Sequence, residues 1–103
     1  MINLTLLADV SVKQSLADVL RALPEVERFI FTHVEEHSHQ LEQDPLLSER
    51  DKVVGYVPRI RVDVLLDSSA FTKVREALCS PGCGLAGRCR YWVTPVTENS
   101  GFL

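Results

Sequence analysis

The sequence predicts an α+β fold with one antiparallel sheet and two helices. Four segments carry the β-branched, aromatic or alternating apolar residues typical of strands, and two segments carry apolar residues at helical spacing. They follow one another in the order β-α-β-β-α-β. This order predicts one ferredoxin-like domain over residues 1–103, in which both helices pack against the same face of a four-stranded antiparallel sheet.

The chain opens with a predicted strand over residues 1–8 and a predicted helix over residues 11–23. Apolar side chains alternate along the first segment, which places them on one face of a strand. Ser11 and Gln14 form a capping box at the start of the helix, and Pro24 ends it because the residue before a proline avoids helical geometry. The strand residues expected to share the inner face are Ile2, Leu4, Leu6 and Ala8.

The rest of the fold is predicted as three strands and a second helix. The strands are expected over residues 28–37, 56–66 and 88–94, and the helix over residues 69–79. β-Branched and aromatic residues mark the second strand, strict alternation marks the third, and a serine at position 68 or 69 is expected to cap the helix. Residues 40–54 are polar and charged without a clean period, so they predict a long and therefore functional loop.

Composition and charge exclude several classes of function. The net charge is −3 without a block of lysine or arginine, so the electrostatic footprint of a nucleic-acid-binding protein is absent. No apolar run approaches the ~18 residues that a membrane span needs, and the start of the chain lacks the basic segment of a secretory signal. No nucleophile with a nearby base and no carboxylate pair occurs in a recognised motif. We expect a cytoplasmic, non-enzymatic protein without catalytic residues.

A row of metal-binding residue types lies where the second strand is expected to end. His33, Glu35, His37 and His39 recur at every second position and include all three histidines of the chain. Alternation along a strand would place these four side chains on one face. Imidazole and carboxylate groups bind zinc, copper, nickel or cobalt, so the row predicts a transition-metal site. The alternative is a set of solvated residues where a strand runs into a loop.

The three cysteines form a second group of candidate ligands. Cys83 lies between Gly82 and Gly84, in a predicted exposed turn where its thiol is expected to be reactive or to bind a soft ion such as Cu(I). We therefore add Cys83 to the predicted metal ligands. Cys79 is expected to be a small buried residue at the helix end. For Cys89 the sequence favours neither role, and the spacing of the three lacks the tight pattern of a structural zinc site.

One face of the predicted sheet has no helix to cover it. This face carries Leu7 and Leu65 among polar and charged residues such as Thr5, Arg61 and Asp63. A partly apolar face of this kind favours burial against another subunit. The alternative is a polar outer face with a few scattered apolar residues.

The end of the chain carries the most specific family resemblance. Residues 91–96 read YWVTPV and are followed by Gly101. With the β-α-β-β-α-β order and the long loop after the second strand, the chain resembles the PII-like proteins, in particular an uncharacterised bacterial branch often encoded beside heavy-metal efflux pumps. It is more loosely similar to CutA-type trimers associated with divalent-cation tolerance. The resemblance implies a compact homotrimer with inward-facing sheets and ligand sites in clefts between subunits.

Three functional hypotheses remain open at this stage. The first is a regulator or sensor that binds a Cu, Zn, Ni or Co ion and contacts a membrane efflux or regulatory protein through residues 40–54. The second is a PII-like module that binds an adenine nucleotide or a small anion. No glycine-rich phosphate cradle is present, and the candidate phosphate contacts are Arg59, Arg61, Arg88 and Arg90. The third is an oligomeric scaffold without a ligand.

Overall fold

Each predicted element is present in the structure, a computed structural model that describes residues 1–38, 55–85, 87–97 and 101–103. The strands are β1 (Ile2–Asp9), β2 (Phe29–Glu36), β3 (Val57–Leu66) and β4 (Cys89–Pro95), and the helices are α1 (Lys13–Ala22) and α2 (Phe71–Leu78). Short 3-10 turns cover Val10–Val12, Ser68–Ala70 and Pro81–Cys83. The predicted order of elements is therefore confirmed within the described residues, and their ends shift by at most two positions.

The four strands form one antiparallel sheet in the order β2-β3-β1-β4. β1 and β3 lie at its centre and pair from Ile2 opposite Leu66 to Asp9 opposite Arg59. β4 pairs with the other side of β1, and β2 pairs with β3. This arrangement confirms the predicted ferredoxin-like α+β fold and leaves β2 and β4 as the two edge strands.

The start of each helix differs from the prediction. Asp9 accepts a hydrogen bond from the Ser11 backbone N–H at 3.1 Å, and Asp67 accepts one from the Ser69 N–H at 3.0 Å. The predicted serine caps are therefore wrong, because an aspartate two residues earlier caps a 3-10 turn that leads into the helix. Gln14 makes no capping box, since its amide donates to Asp18 Oδ1 instead, at 2.9 Å.

The hydrophobic core fills the space between the helices and one face of the sheet. Alternate residues of β1 and β3 supply its floor, and both helices supply its cover. Its most deeply buried large side chains are Leu4, Leu16, Leu20, Ile60, Val62, Val64, Leu66 and Val74. The other face of the sheet, which we call the open face, carries Asn3, Thr5, Leu7, Ile30, Arg61, Asp63, Leu65, Arg90 and Trp92. In the described part of the chain no helix is long and apolar enough to cross a membrane.

Candidate functional site

The end of β2 positions three of the predicted metal ligands near solvent. Phe29 and Phe31 lie on the helix side of the sheet and pack against the core. Strand alternation continues this side through His33 and Glu35, and both of these side chains are exposed. His37 follows directly after the strand ends and is exposed as well. The side chains of His33, Glu35 and His37 are therefore accessible to solvent rather than buried in the core.

Two of these side chains are in direct contact. Glu35 Oε1 and His37 Nε2 lie 3.2 Å apart, and each side chain is more than half exposed. The ring of Tyr56, which precedes β3, lies 5.5 Å from the His37 ring, centroid to centroid, and flanks it on one side. The arrangement places a carboxylate oxygen and an imidazole nitrogen next to each other at the surface, where both can bind a cation.

The other predicted ligands do not join this pair in the described structure. His39 lies outside the described residues, as does the predicted loop at 40–54. Across residues 1–38, 55–85, 87–97 and 101–103, no group of three or more histidine, cysteine or acidic side chains is placed to hold a metal ion. Within these ranges, Glu35 and His37 are the two members of the predicted row that contact each other.

The predictions for two of the cysteines are wrong. Cys83 is buried rather than exposed, because the turn at Pro81–Cys83 points its side chain into the core, where the thiol donates a hydrogen bond to Ala77 O at 3.0 Å. This burial withdraws the Cys83 thiol from solvent, while its role as a metal ligand stays a prediction. Cys79 is exposed rather than buried, because it caps the end of α2 beyond the helix's buried face. All three thiols are free, and Cys89 is partly buried.

A polar cluster lies at the centre of the open face, around Asp63. Its carboxylate accepts hydrogen bonds from Asn3 Nδ2 at 3.3 Å and from Thr5 Oγ1 at 3.1 Å. Arg61 donates to it as well, from Nε at 3.2 Å and from Nη2 at 3.3 Å. Partial burial disfavours the charged form of Asp63, but the hydrogen bonds from Arg61, Asn3 and Thr5 outweigh it and lower the pKa of this carboxyl group.

A second polar group on the open face links its two edge strands. Glu36, at the end of β2, accepts a hydrogen bond from Arg59 Nε at 2.8 Å and another from Arg90 Nη2 of β4. Glu36 and Arg59 are each largely buried, while Arg90 is exposed. The sequence alone does not identify Glu36 as a hydrogen-bond acceptor on this face, because the arginines that donate to it come from two other strands. The alternation of charged and apolar residues along β3 is the one local signal that points to a charged face.

Exposed apolar side chains flank these polar groups. Ile30 on β2 is 60% exposed, Leu65 on β3 is 43% exposed and Trp92 on β4 is 43% exposed. Ile30 and Trp92 lie in the same row across the sheet, on either side of Thr5 and Asp63. The open face therefore combines a self-paired polar centre with apolar residues towards both edges.

Comparison with known proteins assigns the family. A family model described as a protein of unknown function, DUF3240, matches residues 1–102. The chain belongs to the DUF3240 family. The crystal structure of a DUF3240 family protein from Shewanella baltica OS155, at 2.40 Å resolution, superposes with a TM-score of 0.75. The match covers 99% of this chain and 96% of that chain at 19% identity, so it shows a shared fold. No curated protein sequence matches the chain.

The family assignment refines the resemblance drawn from the sequence. DUF3240 membership names the family at the level of sequence and fold. The broader kinship with PII-like proteins, the trimer that it implies and the link to metal efflux stay predictions. The chemistry of this DUF3240 protein therefore has to be argued from its own residues.

Proposed function

We propose that this DUF3240 protein is a non-enzymatic, PII-like homotrimeric regulator that binds a transition-metal ion at the exposed end of β2. The ion is Cu, Zn, Ni or Co, and residues 40–54 contact a membrane efflux or regulatory protein in response to metal binding. The observation that carries the proposal is the contact between Glu35 and His37, because it joins two metal-binding groups beside the start of that segment.

The separation of these two groups suits a shared metal ion. Two ligand atoms that each lie about 2.0–2.1 Å from an ion, at a tetrahedral angle, are roughly 3.3–3.4 Å apart. Glu35 Oε1 and His37 Nε2 are separated by 3.2 Å, so an ion can bridge them after a shift of a few tenths of an ångström. A tight site needs further ligands, and His39, His33 or a residue of a neighbouring subunit would supply them.

The proposed trimer rests on the open face. Ile30, Leu65 and Trp92 expose apolar surface there, and burying it against the sheets of two other subunits would be favourable. The inward-facing sheets of PII-like trimers would provide this burial. Such an assembly would also bring three copies of the β2 end into one particle.

Metal binding can be tested on untagged protein by isothermal calorimetry with Zn, Cu(II), Ni and Co. The parent protein is expected to bind at least one of these ions, and the double substitution His37→Ala and His39→Ala is expected to abolish binding. Glu35→Gln is expected to weaken it, since an amide is a poorer metal ligand than a carboxylate. Glu76→Gln on α2 removes another exposed carboxylate and serves as the matched control. No binding by the parent, or equal losses in both glutamine variants, would contradict the proposal.

The alternative effector, an adenine nucleotide or small anion, would depend on the arginines of β3 and β4 and on Arg88, which directly precedes β4. Three of the four already pair with carboxylates, since Arg59 and Arg90 bond to Glu36 and Arg61 bonds to Asp63. Within the described residues Arg88 forms no ion pair, which makes it the arginine most available to an anion. A phosphate group would therefore have to displace existing partners at the other three positions. Calorimetry with ATP and with inorganic phosphate tests this alternative in the same preparation.

A further inference from the structure

An apolar pocket of about 290 Å³ lies on the helix side of the sheet, at the edge opposite to the histidines. It is enclosed by the end of α2, the segment that follows it and strands β1 and β4. Four leucines, Leu4, Leu6, Leu78 and Leu85, are among the residues that line it. The polar side chains that reach it are few, and two of them are thiols, Cys79 and Cys89. The pocket thus places two free sulfur atoms in apolar surroundings.

The two thiols reach the pocket from different elements. Cys79 caps the end of α2 and is open to solvent, whereas Cys89 begins β4 opposite Ala8 and points inward. Both side chains line this one pocket, Cys79 from the end of α2 and Cys89 from the start of β4. Burial, and to a smaller extent the negative charge that Cys79 would carry, raise the pKa of Cys89 to about 11. Without a bound cation, Cys89 therefore keeps its proton at neutral pH.

A fixed positive charge lies in the wall of the same pocket. Arg75 on α2 donates a hydrogen bond from Nε to Tyr91 Oη at 3.0 Å, and its guanidinium carbon lies 5.7 Å from the centre of the Tyr91 ring. Both side chains line the pocket. The contact with Tyr91 restrains the guanidinium group, so its charge is available to offset a negative group that forms nearby.

We propose that Cys79 and Cys89 form a two-thiolate site for one soft monovalent cation, Cu(I) or Ag(I). Soft thiolate ligands select such ions over Mg²⁺ or Ca²⁺, and two-coordinate binding needs no third ligand. Binding replaces two S–H bonds by two sulfur–metal bonds and releases two protons, while the oxidation state of the ion does not change. The resulting unit carries one net negative charge, which Arg75 offsets, and the leucine walls shield the Cys89 sulfur from competing water.

This site goes beyond the proposed histidine site and does not depend on it. It uses sulfur ligands for a monovalent ion at the β4 edge, whereas the histidine site uses nitrogen and oxygen ligands at the β2 edge. Either site can be absent without consequence for the other. His37→Ala is therefore expected to leave Cu(I) binding intact, and Cys79→Ser is expected to leave Zn and Ni binding intact.

The test is a competition for Cu(I) between the reduced, untagged protein and a colorimetric Cu(I) chelator under anaerobic conditions, repeated with Ag(I) by calorimetry. The parent protein is expected to bind one ion per chain. Cys79→Ser and Cys89→Ser are each expected to lose the competition. Cys83→Ser is the matched control, because Cys83 is buried outside the pocket lining and a serine hydroxyl can donate the same hydrogen bond to Ala77 O.

Folding of each variant is checked by its circular dichroism spectrum. Cys79 is exposed, so its substitution leaves the core unchanged and keeps the test decisive if Cys89→Ser is unstable. As a second measurement on the parent protein, bound Ag(I) is expected to protect Cys79 from alkylation by iodoacetamide, as read by mass spectrometry. Failure of the parent to bind Cu(I), an unprotected Cys79, or an equal loss in Cys83→Ser would each overturn the proposal.

Discussion

Replacing Leu65 with aspartate tests whether the open face is an interface between subunits. Leu65 is 43% exposed in the single chain, so an assembly that covers it removes the remaining part of its side chain from water. Complete burial of a leucine side chain is worth about 1.5–3 kcal/mol, so this remaining part contributes roughly 0.6–1.3 kcal/mol per subunit. Three copies in a trimer together contribute roughly 2–4 kcal/mol.

The substitution removes this contribution and adds a larger penalty. An aspartate at this position would be an unpaired charge inside the interface, and an unpaired buried charge costs several kcal/mol. Summed over three subunits, the change is expected to convert the proposed trimer to monomer at micromolar protein concentration. The folded chain itself should persist, because the Leu65 side chain lies on the side of β3 that faces away from the core.

The assay is light scattering coupled to size-exclusion chromatography, with Val10→Asp as the matched control. Val10 is 44% exposed, almost the same as Leu65, but it lies in the 3-10 turn before α1 and off the open face. The parent and Val10→Asp are expected to have the mass of three chains, and Leu65→Asp the mass of one. A monomeric parent, a trimeric Leu65→Asp, or equal dissociation of both variants would refute the reasoning.

Three further predictions concern ionisable groups. Hydrogen bonding lowers the pKa of Asp63 from 3.8, so the stability that its charged form contributes is present above that pH and is lost as pH falls through the lower folded value. Asp63→Asn should therefore lower the free energy of unfolding in urea by about 1 kcal/mol at pH 7 and by progressively less in acid. Zinc affinity should fall as the pH is lowered, because protons compete with the metal ion for the histidine ligands, and calorimetry across pH 5.5–8 checks it. Cu(I) affinity should fall at least about tenfold per pH unit lowered from 8 to 6, because Cys89, with a pKa of about 11, must release its proton, and the chelator competition measures it.

The fold could be predicted from the sequence because its signals are local and repeated. Strict alternation over β3 and helical spacing in α1 each report one buried face, and the structure buries those faces. The sequence predicts serine caps because serine is a common capping residue, whereas in the structure Asp9 and Asp67 cap from two positions earlier. The same Asp-x-Ser pattern precedes both helices, so a signal for the correct caps was present in the sequence.

The candidate sites were only partly predictable because they depend on contacts between distant segments. Glycines on both sides of Cys83 suggested exposure, but the fold of its turn directs the thiol to the end of α2. The pairing of Cys79 with Cys89 in one pocket requires that α2 and β4 be brought together. Glu36 lies beside the histidine row in sequence, yet its partners Arg59 and Arg90 come from two other strands. The contact between Glu35 and His37 was predictable, since it depends only on their spacing of two residues at the end of β2.

The open face has the properties that burial in an assembly requires. A charged group can enter an interface at low cost only if its partners go with it. On this face Asp63 is already bonded to Arg61, Thr5 and Asn3 within the same chain, and Glu36 is bonded to two arginines. The polar centre would therefore enter the interface already paired, and the flanking apolar side chains would provide the favourable burial. Glu35 and His37 lie at the strand end on the other side of the sheet, so covering the open face leaves this pair accessible to a metal ion.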